Sequence, residues 1–129
     1  MSTTPENLSY TKEHEWVKEE SAGVVVFGIT DFAQSALGDI VFVTLPSVGK
    51  TLAAGEACGE VESTKSVSDI YAPVSGEVVA ANSVVETNPE TINNDPYGAG
   101  WIADVKVSDA QAVAATLLSA DEYRAITTA

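Results

Sequence analysis

Apolar residues recur in short runs along most of the chain, a pattern that favours β-strands over long helices. The runs are rich in Val, Ile and aromatic residues and are separated by Gly, Pro and Asn. The strands that this pattern predicts are Glu15–Glu19, Val24–Ile29, Ile40–Leu45, Gly59–Ser63, Val67–Tyr71, Glu77–Val85 and Trp101–Val107. In the last strand, Trp101, Ala103, Val105 and Val107 share one side, which predicts a half-buried strand.

Turn-forming residues and capping signals mark the segments between the strands. Pro46–Lys50 contains Pro and Gly and predicts a turn, and Asn88–Gly100 is dense enough in turn formers to predict a loop. Asp31 is followed by Gln34 three residues later, a spacing that resembles a capping box and predicts a short helix ending near Gly38.

The last third of the chain changes from strand-like to helix-like spacing. Capping-box signals are present at Ser108 with Gln111 and at Ser119 with Glu122. Apolar residues at helical spacing follow the two signals, namely Val113, Leu117, Leu118, Tyr123 and Ile126. We therefore expect two short helices, or one interrupted helix, beside a β-rich core, with residues 1–129 forming a single domain.

The charge balance restricts the classes of partner. Lys and Arg together number 6 and Asp and Glu number 19, which gives a formal net charge of −13. Nucleic acids and anionic membranes bind clusters of Lys and Arg, and the sequence contains no such cluster. We therefore expect neither as a partner. The acidity can either steer the chain towards basic surfaces of other proteins or serve solubility alone.

The scarcity of Cys and His excludes further kinds of site. Cys58 is the one cysteine and cannot form an internal disulfide, and with the one histidine, His14, it cannot supply a conventional zinc site. The first residues lack the pattern of a secretory or organellar signal, and no apolar run approaches the ~18 residues of a membrane span. We expect a cytoplasmic protein with a reduced thiol.

One lysine is set apart by its position between two predicted strands. Lys65 lies in the segment Thr64-Lys65-Ser66, where Gly59–Ser63 and Val67–Tyr71 would meet in a tight hairpin. Sheet hydrogen bonds would hold the backbone while the methylenes of the side chain extend outward. Such an amine is either an ordinary solvated lysine or the attachment point of a mobile arm.

The residues around this lysine belong to a longer pattern. Glu62-Ser63-Thr64-Lys65-Ser66, continued by Asp69–Val78, resembles the lipoylation region of the glycine cleavage H-protein family. Other stretches that resemble the family in the expected order are Tyr10–Val17, Gly28–Asp31, Leu37–Val43, Asp95–Trp101 and Leu117–Tyr123. The family generally has Val before and Ala after the lysine. Here Thr64 and Ser66 take those places, and both are small enough to leave the tip open.

Two related classes of carrier fit the sequence less well. The modified lysine of biotin carriers usually lies between two methionines, whereas the one methionine of this chain is Met1. Lipoyl domains of the 2-oxo acid dehydrogenases normally belong to longer chains, and we would not expect them to carry the start His14-Glu15-Trp16.

The resemblance implies a fold, a cofactor and a set of partners. The fold is a mainly β flattened barrel, or barrel-sandwich, of two antiparallel sheets with short peripheral and C-terminal helices. Lys65 bears lipoate through an amide bond, on a monomeric and non-catalytic carrier. Its arm takes an aminomethyl group from a pyridoxal-phosphate glycine decarboxylase to a tetrahydrofolate-dependent aminomethyltransferase. An FAD-containing dihydrolipoyl dehydrogenase reoxidises the arm, and a lipoate ligase or a lipoyl/octanoyl transferase attaches it.

The resemblance also implies a cleft that shelters the loaded arm. The positions that match its polar contacts are Glu13, Glu15 and Asp69, with His14 packing or making a hydrogen bond beside them. Each acid is otherwise an ordinary solvated side chain. Two other functions remain open: a relay that donates lipoate to other lipoyl proteins, and a hydrolase or thiol enzyme that uses Cys58 with His14.

Overall fold

Two antiparallel sheets form most of the computed structural model, which describes residues 4–108 and 115–127. The strands are β1 Ser9–Tyr10, β2 Glu15–Ser21, β3 Val24–Ile29, β4 Ile40–Thr44, β5 Thr51–Leu52, β6 Ala57–Ser63, β7 Val67–Tyr71, β8 Gly76–Ala81 and β9 Ala103–Lys106. The larger sheet has the order β1-β2-β3-β9-β8-β5, and the smaller sheet has the order β4-β6-β7. The mainly β, two-sheet fold expected from the sequence is therefore confirmed.

The core lies between the two sheets and takes one face of each strand. On β2 and β3, Val17 opposes Phe27, and both side chains belong to this core. The adjacent residues Trp16 and Val26 face the other side of the sheet, where they pack in a second cluster with Tyr123. Because β3 is covered on both faces, its sequence is a nearly continuous apolar run rather than an alternating one.

The helices whose bounds the structure gives are α1 Asp31–Leu37, α2 Ser83–Thr87, α3 Glu90–Asn94 and α4 Ala120–Thr127. The N-cap of α1 is Thr30 rather than Asp31, because the Thr30 Oγ1 accepts the N–H of Ala33 at 3.2 Å. Asp31 is the first helical residue and accepts a side-chain hydrogen bond from Gln34 at 2.6 Å. Gly38 ends the helix with a φ of 84°, as the sequence predicts.

The strand predicted as Glu77–Val85 is wrong at its C-terminal end. β8 ends before Asn82, a buried residue that serves as the N-cap of α2. The Asn82 side chain donates to the carbonyls of Ala99 and Trp101 at 2.8 Å and accepts the N–H of Val84 at 3.2 Å. Two of these partners lie 17 and 19 residues away, so the local pattern of apolar residues does not contain the reason for the turn.

Two other predicted segments also need correction. The loop predicted over Asn88–Gly100 contains α3, because Ile92 is fully buried and draws this short helix onto the core. The strand predicted over Trp101–Val107 contracts to β9, since the N–H of Trp101 donates to Gly98 within the loop at 3.2 Å. β1 and β5 were not predicted, because two residues are too few for an alternating pattern to be visible.

The second C-terminal capping box is confirmed at the start of α4. The Oγ of Ser119 accepts the N–H of Glu122 at 3.1 Å, and the Glu122 carboxylate accepts the N–H of Ser119 at 2.8 Å. The helix predicted after Ser108 falls largely on residues 109–114, which lie outside the described residues. Within the described ranges, the helices are too short or too polar to span a bilayer.

Candidate functional site

The hairpin formed by β6 and β7 carries Lys65 at its tip, as predicted. The buried Ser63 organises the turn, because its Oγ accepts the N–H groups of Lys65 and Ser66 at 3.1 Å each and donates to the carbonyl of Ser66 at 3.2 Å. The N–H of Thr64 donates to the carbonyl of Asp39 at 3.1 Å, just before β4. The backbone under Lys65 is therefore held from within the hairpin and from the neighbouring segment.

The Lys65 amine is accessible from outside the protein. Its side chain is exposed, and Nζ donates a single 3.4 Å hydrogen bond to the carbonyl of Ala36 in the last turn of α1. The ion pairs found among the described residues both involve Arg124 and leave Lys65 out. The flanking Thr64 and Ser66 are exposed as well, so the tip is as open as their small side chains predict.

A cleft of about 220 Å³ lies beside the hairpin, between α1 and β7. Its walls are mainly apolar, and the lining residues are Glu13, His14, Glu15, Ile29, Phe32, Ala33, Ala36, Leu37, Val61, Ser68, Asp69 and Ile70. Ala36 both lines this cleft and accepts the hydrogen bond from Lys65. The amine therefore lies at the edge of the cleft.

Glu15 is the buried acid of the cleft, with 2% of its surface exposed. Its carboxyl oxygens accept hydrogen bonds from the Thr11 hydroxyl at 2.6 Å and from the N–H of Tyr71 at 3.4 Å. Burial raises the pKa of Glu15 to about 8, and the two hydrogen bonds counteract part of this shift. The interpretation of Glu15 as an ordinary solvated acid is therefore wrong.

The other three residues expected at the cleft also line it. Glu13 and Asp69 are exposed, Asp69 on the strand β7 at the edge of the smaller sheet. His14 is half-buried, and its ring packs against Phe32 with the ring centroids 4.9 Å apart. Its Nδ1 lies 2.7 Å from the hydroxyl of Tyr123, and burial lowers the pKa of the imidazole. Residues 13, 14, 15 and 69 thus surround one cavity.

The thiol-enzyme interpretation finds no support in the surroundings of Cys58. This residue is buried in the core, and burial raises the pKa of its thiol to about 11, the opposite of what a nucleophilic cysteine needs. His14 is engaged by Tyr123 and Phe32 at the cleft. Neither environment favours nucleophilic chemistry.

Asn93 is a site residue that sequence reasoning misses, because its partners are distant in the chain. The Asn93 side chain accepts the N–H of Ile40 at 2.9 Å and donates to Gln34 and to the carbonyl of Gly38, each at 2.9 Å. It ties the end of α1, which forms a cleft wall, to the start of β4. An Asn in a segment dense in Asn, Asp and Gly gives no local signal of this role.

An accessible lysine on a rigid hairpin, beside an apolar cleft in a two-sheet β fold, defines the class of barrel-sandwich carrier domains. Comparison with known proteins identifies the family within that class. The sequence model of the family described as Glycine cleavage H-protein matches residues 8–129. The chain belongs to the glycine cleavage H-protein family, which confirms the resemblance noted in the sequence.

Individual relatives agree along nearly the whole chain. The chain is 61% identical over 127 residues to the glycine cleavage system H protein of Mycobacterium avium and 59% identical to that of Mycobacterium leprae, with 96% of each chain covered. The crystal structure of a glycine cleavage system H protein from Mycobacterium marinum superposes with a TM-score of 0.87 at 47% identity, covering 97% of this chain and 99% of that one. The chain is therefore a lipoyl carrier component of the glycine cleavage system.

Proposed function

We propose that Lys65 carries lipoate through an amide bond and that the chain shuttles the aminomethyl group of glycine without breaking a bond itself. The observation that carries this proposal is an exposed amine on a hydrogen-bonded hairpin tip at the edge of an apolar cleft. The residues fit the cofactor, because the amine makes no ion pair within the described chain and the cleft offers an apolar wall to a hydrocarbon arm.

The chain's own residues anchor the proposed lipoyl arm and shelter its cargo. When bound, lipoate supplies a disulfide that takes up the aminomethyl carbon and is later restored by oxidation. Ser63 fixes the origin of the arm, and the methylenes of Lys65 add to its reach. Apolar residues of α1 and of the β6–β7 hairpin line the cleft, and they would shield a bound cargo from water, which favours the survival of a labile group.

We propose Glu15 and Asp69 as the residues that hold the ammonium of the cargo, with Glu13 beside them. Support comes from their common position on the cleft wall and from the burial of Glu15, which strengthens a charge-assisted hydrogen bond. At neutral pH the raised pKa of Glu15 keeps this carboxyl protonated when no cation is beside it. Entry of an ammonium group favours the ionised form, so we expect Glu15 to release its proton as the cargo enters.

The proposed role requires enzymes that load the aminomethyl group, accept it from the arm, reoxidise the arm and attach lipoate to the chain. The proposed partners are a pyridoxal-phosphate glycine decarboxylase, a tetrahydrofolate-dependent aminomethyltransferase, an FAD-containing dihydrolipoyl dehydrogenase, and a lipoate ligase or lipoyl/octanoyl transferase. The formal charge of −13 supports approach to enzymes with basic patches around their active-site entrances.

Intact-mass measurement of the chain from a lipoylating host tests the attachment site. We expect one lipoyl addition on the wild-type chain and none on Lys65→Arg, because Arg presents no amine that can form the amide. Lys50→Arg is the matched control, since Lys50 is also an exposed lysine next to a turn and should leave the addition unchanged. A lipoyl group on any other lysine would overturn the assignment.

Reconstitution separates the shuttle from a lipoate relay, which requires the same lysine. The lipoylated chain is mixed with the decarboxylase and exchange of labelled CO2 into glycine is followed. The shuttle predicts exchange that depends on the lipoylated chain and disappears with Lys65→Arg. Transfer of lipoate to other proteins without any glycine-dependent exchange would favour the relay.

A further inference from the structure

A chain of three hydrogen-bonded side chains joins the C-terminal helix α4 to the cleft. The hydroxyl of Tyr123 lies 2.7 Å from the Nδ1 of His14 and 2.7 Å from the Oγ1 of Thr30. His14 lines the cleft, and Thr30 is the N-cap of α1, whose side chains form one wall. Tyr123 is 1% exposed and is not among the residues that line the cleft, and within the described part of the chain its hydroxyl reaches the cleft through these two partners.

The buried hydroxyl protons determine the direction of this chain. Thr30 Oγ1 is fully buried and already accepts the N–H of Ala33. If Tyr123 donated to Thr30, the buried proton of the Thr30 hydroxyl would remain without an acceptor among the described residues, which is costly. If Thr30 instead donates to Tyr123, and Tyr123 donates to the Nδ1 of His14, both hydroxyl protons have an acceptor. Burial also raises the pKa of Tyr123 to about 12, so its hydroxyl keeps the proton that it donates.

This direction fixes the protonation pattern of the imidazole. A neutral histidine whose Nδ1 accepts a hydrogen bond carries its proton on Nε2, on the other edge of the ring. His14 also has an unusual backbone, with a φ of 72°, and it is clamped by hydrogen bonds from its N–H to Thr11 and from Thr30 to its carbonyl. Both the backbone and the ring of His14 are therefore held in one arrangement beside Glu13 and Glu15.

We propose that Tyr123 is a positioning residue for the cleft: its hydroxyl holds His14 in the neutral Nε2–H form. The cleft wall then presents an N–H donor that can support the neighbouring carboxylates, and it presents no imidazole lone pair that could take a proton from the cargo. The proposal rests on the proposed function, in which this cleft receives a cationic cargo. It adds a role for α4, which the cleft geometry alone does not reveal.

The imidazole nitrogen shifts of the unlipoylated, ¹⁵N-labelled full chain test the hydrogen-bond direction. The chain has one histidine, so its two nitrogen signals are unambiguous. We expect the wild-type spectrum to show a protonated Nε2 and a bare Nδ1, and we expect Tyr123→Phe to shift the signals towards a mixture of the two tautomers. A wild-type Nδ1–H form, or a spectrum unchanged in Tyr123→Phe, overturns the proposal.

Tyr10→Phe is the matched control, because its ring stacks on that of Tyr123 at 4.7 Å and its hydroxyl bonds to Pro5 instead of the cleft. Each variant loses one hydroxyl and keeps the stacked rings. A general loss of stability should therefore affect both alike, and it would not explain a tautomer change in one of them. Tyr10→Phe should retain the wild-type tautomer. Should Tyr123→Phe fail to fold, the wild-type tautomer still decides the direction.

A second readout uses the lipoylated chain after loading by the decarboxylase. We expect the cargo to be lost about five-fold faster from Tyr123→Phe than from wild type, the scale of one hydrogen bond, with Tyr10→Phe unchanged. Equal lifetimes in all three chains overturn the positioning role. If the wild type cannot be loaded at all, the proposed function fails, while the tautomer measurement still decides whether Tyr123 sets the state of His14.

Discussion

At the residue scale, the proton on Glu15 links the cleft to the stability of the fold. The carboxyl has an ordinary pKa of 4.5 and a pKa of about 8 in the folded chain, chiefly because it is buried. The folded chain therefore holds this proton more tightly than the unfolded chain does. Ionisation of Glu15 with no cation beside it therefore lowers the free energy of unfolding.

We expect Glu15→Gln to remove a pH dependence from the free energy of unfolding. Between about pH 5 and 8, the wild type should lose up to ~1.4 kcal/mol per pH unit through this group, because the unfolded chain ionises first. Gln does not titrate, so the free energy of unfolding of Glu15→Gln should rise relative to that of the wild type as the pH rises. Urea unfolding at several pH values measures the difference. Glu19 is an exposed acid on the same strand, so Glu19→Gln should keep the wild-type dependence of unfolding free energy on pH. The same pH dependence in both variants would contradict the expectation.

The family resemblance predicts which residues line the cleft but not their ionisation states. The pattern around Glu15 identifies a strand that begins with an acid, and a solvated side chain fits it equally well. Its burial depends on Tyr71, which donates an N–H from 56 residues away, and on the walls of the cavity. His14 is similar, because Tyr123 lies 109 residues from it.

At the scale of elements, the hairpin that bears Lys65 depends on the hydroxyl of Ser63. We expect Ser63→Ala to lower the free energy of unfolding by ~1 kcal/mol, because two N–H groups of the turn lose their acceptor. Faster amide hydrogen exchange at Lys65 and Ser66 and slower lipoylation should accompany the loss. Denaturant unfolding, hydrogen exchange and intact mass measure the three effects.

Ser66→Ala is the control for this change. The Ser66 side chain is exposed and makes no hydrogen bond within the described residues, so this variant should match the wild type. Equal amide exchange at Lys65 in both variants would show that the Ser63 hydroxyl does not hold the tip.

Elements whose signal lies in neighbouring residues are predicted correctly, whereas boundaries that depend on one particular side chain are misplaced. The β6–β7 hairpin and the capping box of α4 follow from local spacing. Asn82 ends β8 through partners far along the chain, and Thr30 takes the cap of α1 because its hydroxyl, rather than the carboxylate of Asp31, reaches the helix. The partners of Asn82 lie outside any local pattern, whereas the Thr30 cap is a local bond, and the spacing of Asp31 and Gln34 places that cap one residue too late.

At the scale of the whole molecule, the formal charge of −13 is predicted directly from the sequence and sets the expected kinetics. If acidic steering assists the partners, carrier-dependent turnover should fall by about ten-fold as salt is raised, because ions screen the attraction. Reoxidation of the carrier by the dehydrogenase is a direct assay. Free lipoamide is neutral and serves as the control substrate. Rates that are equally insensitive to salt would leave the acidity as a solubility feature.

The hydrogen bond from Thr64 to Asp39 joins the hairpin to the segment ahead of β4 and would give the proposed lipoyl arm a fixed point of attachment. An arm of fixed length about a fixed point sweeps one bounded volume, and every enzyme that it serves must insert its active site into that volume. Two enzymes cannot occupy the same volume at once, so the partner enzymes must bind this carrier one at a time.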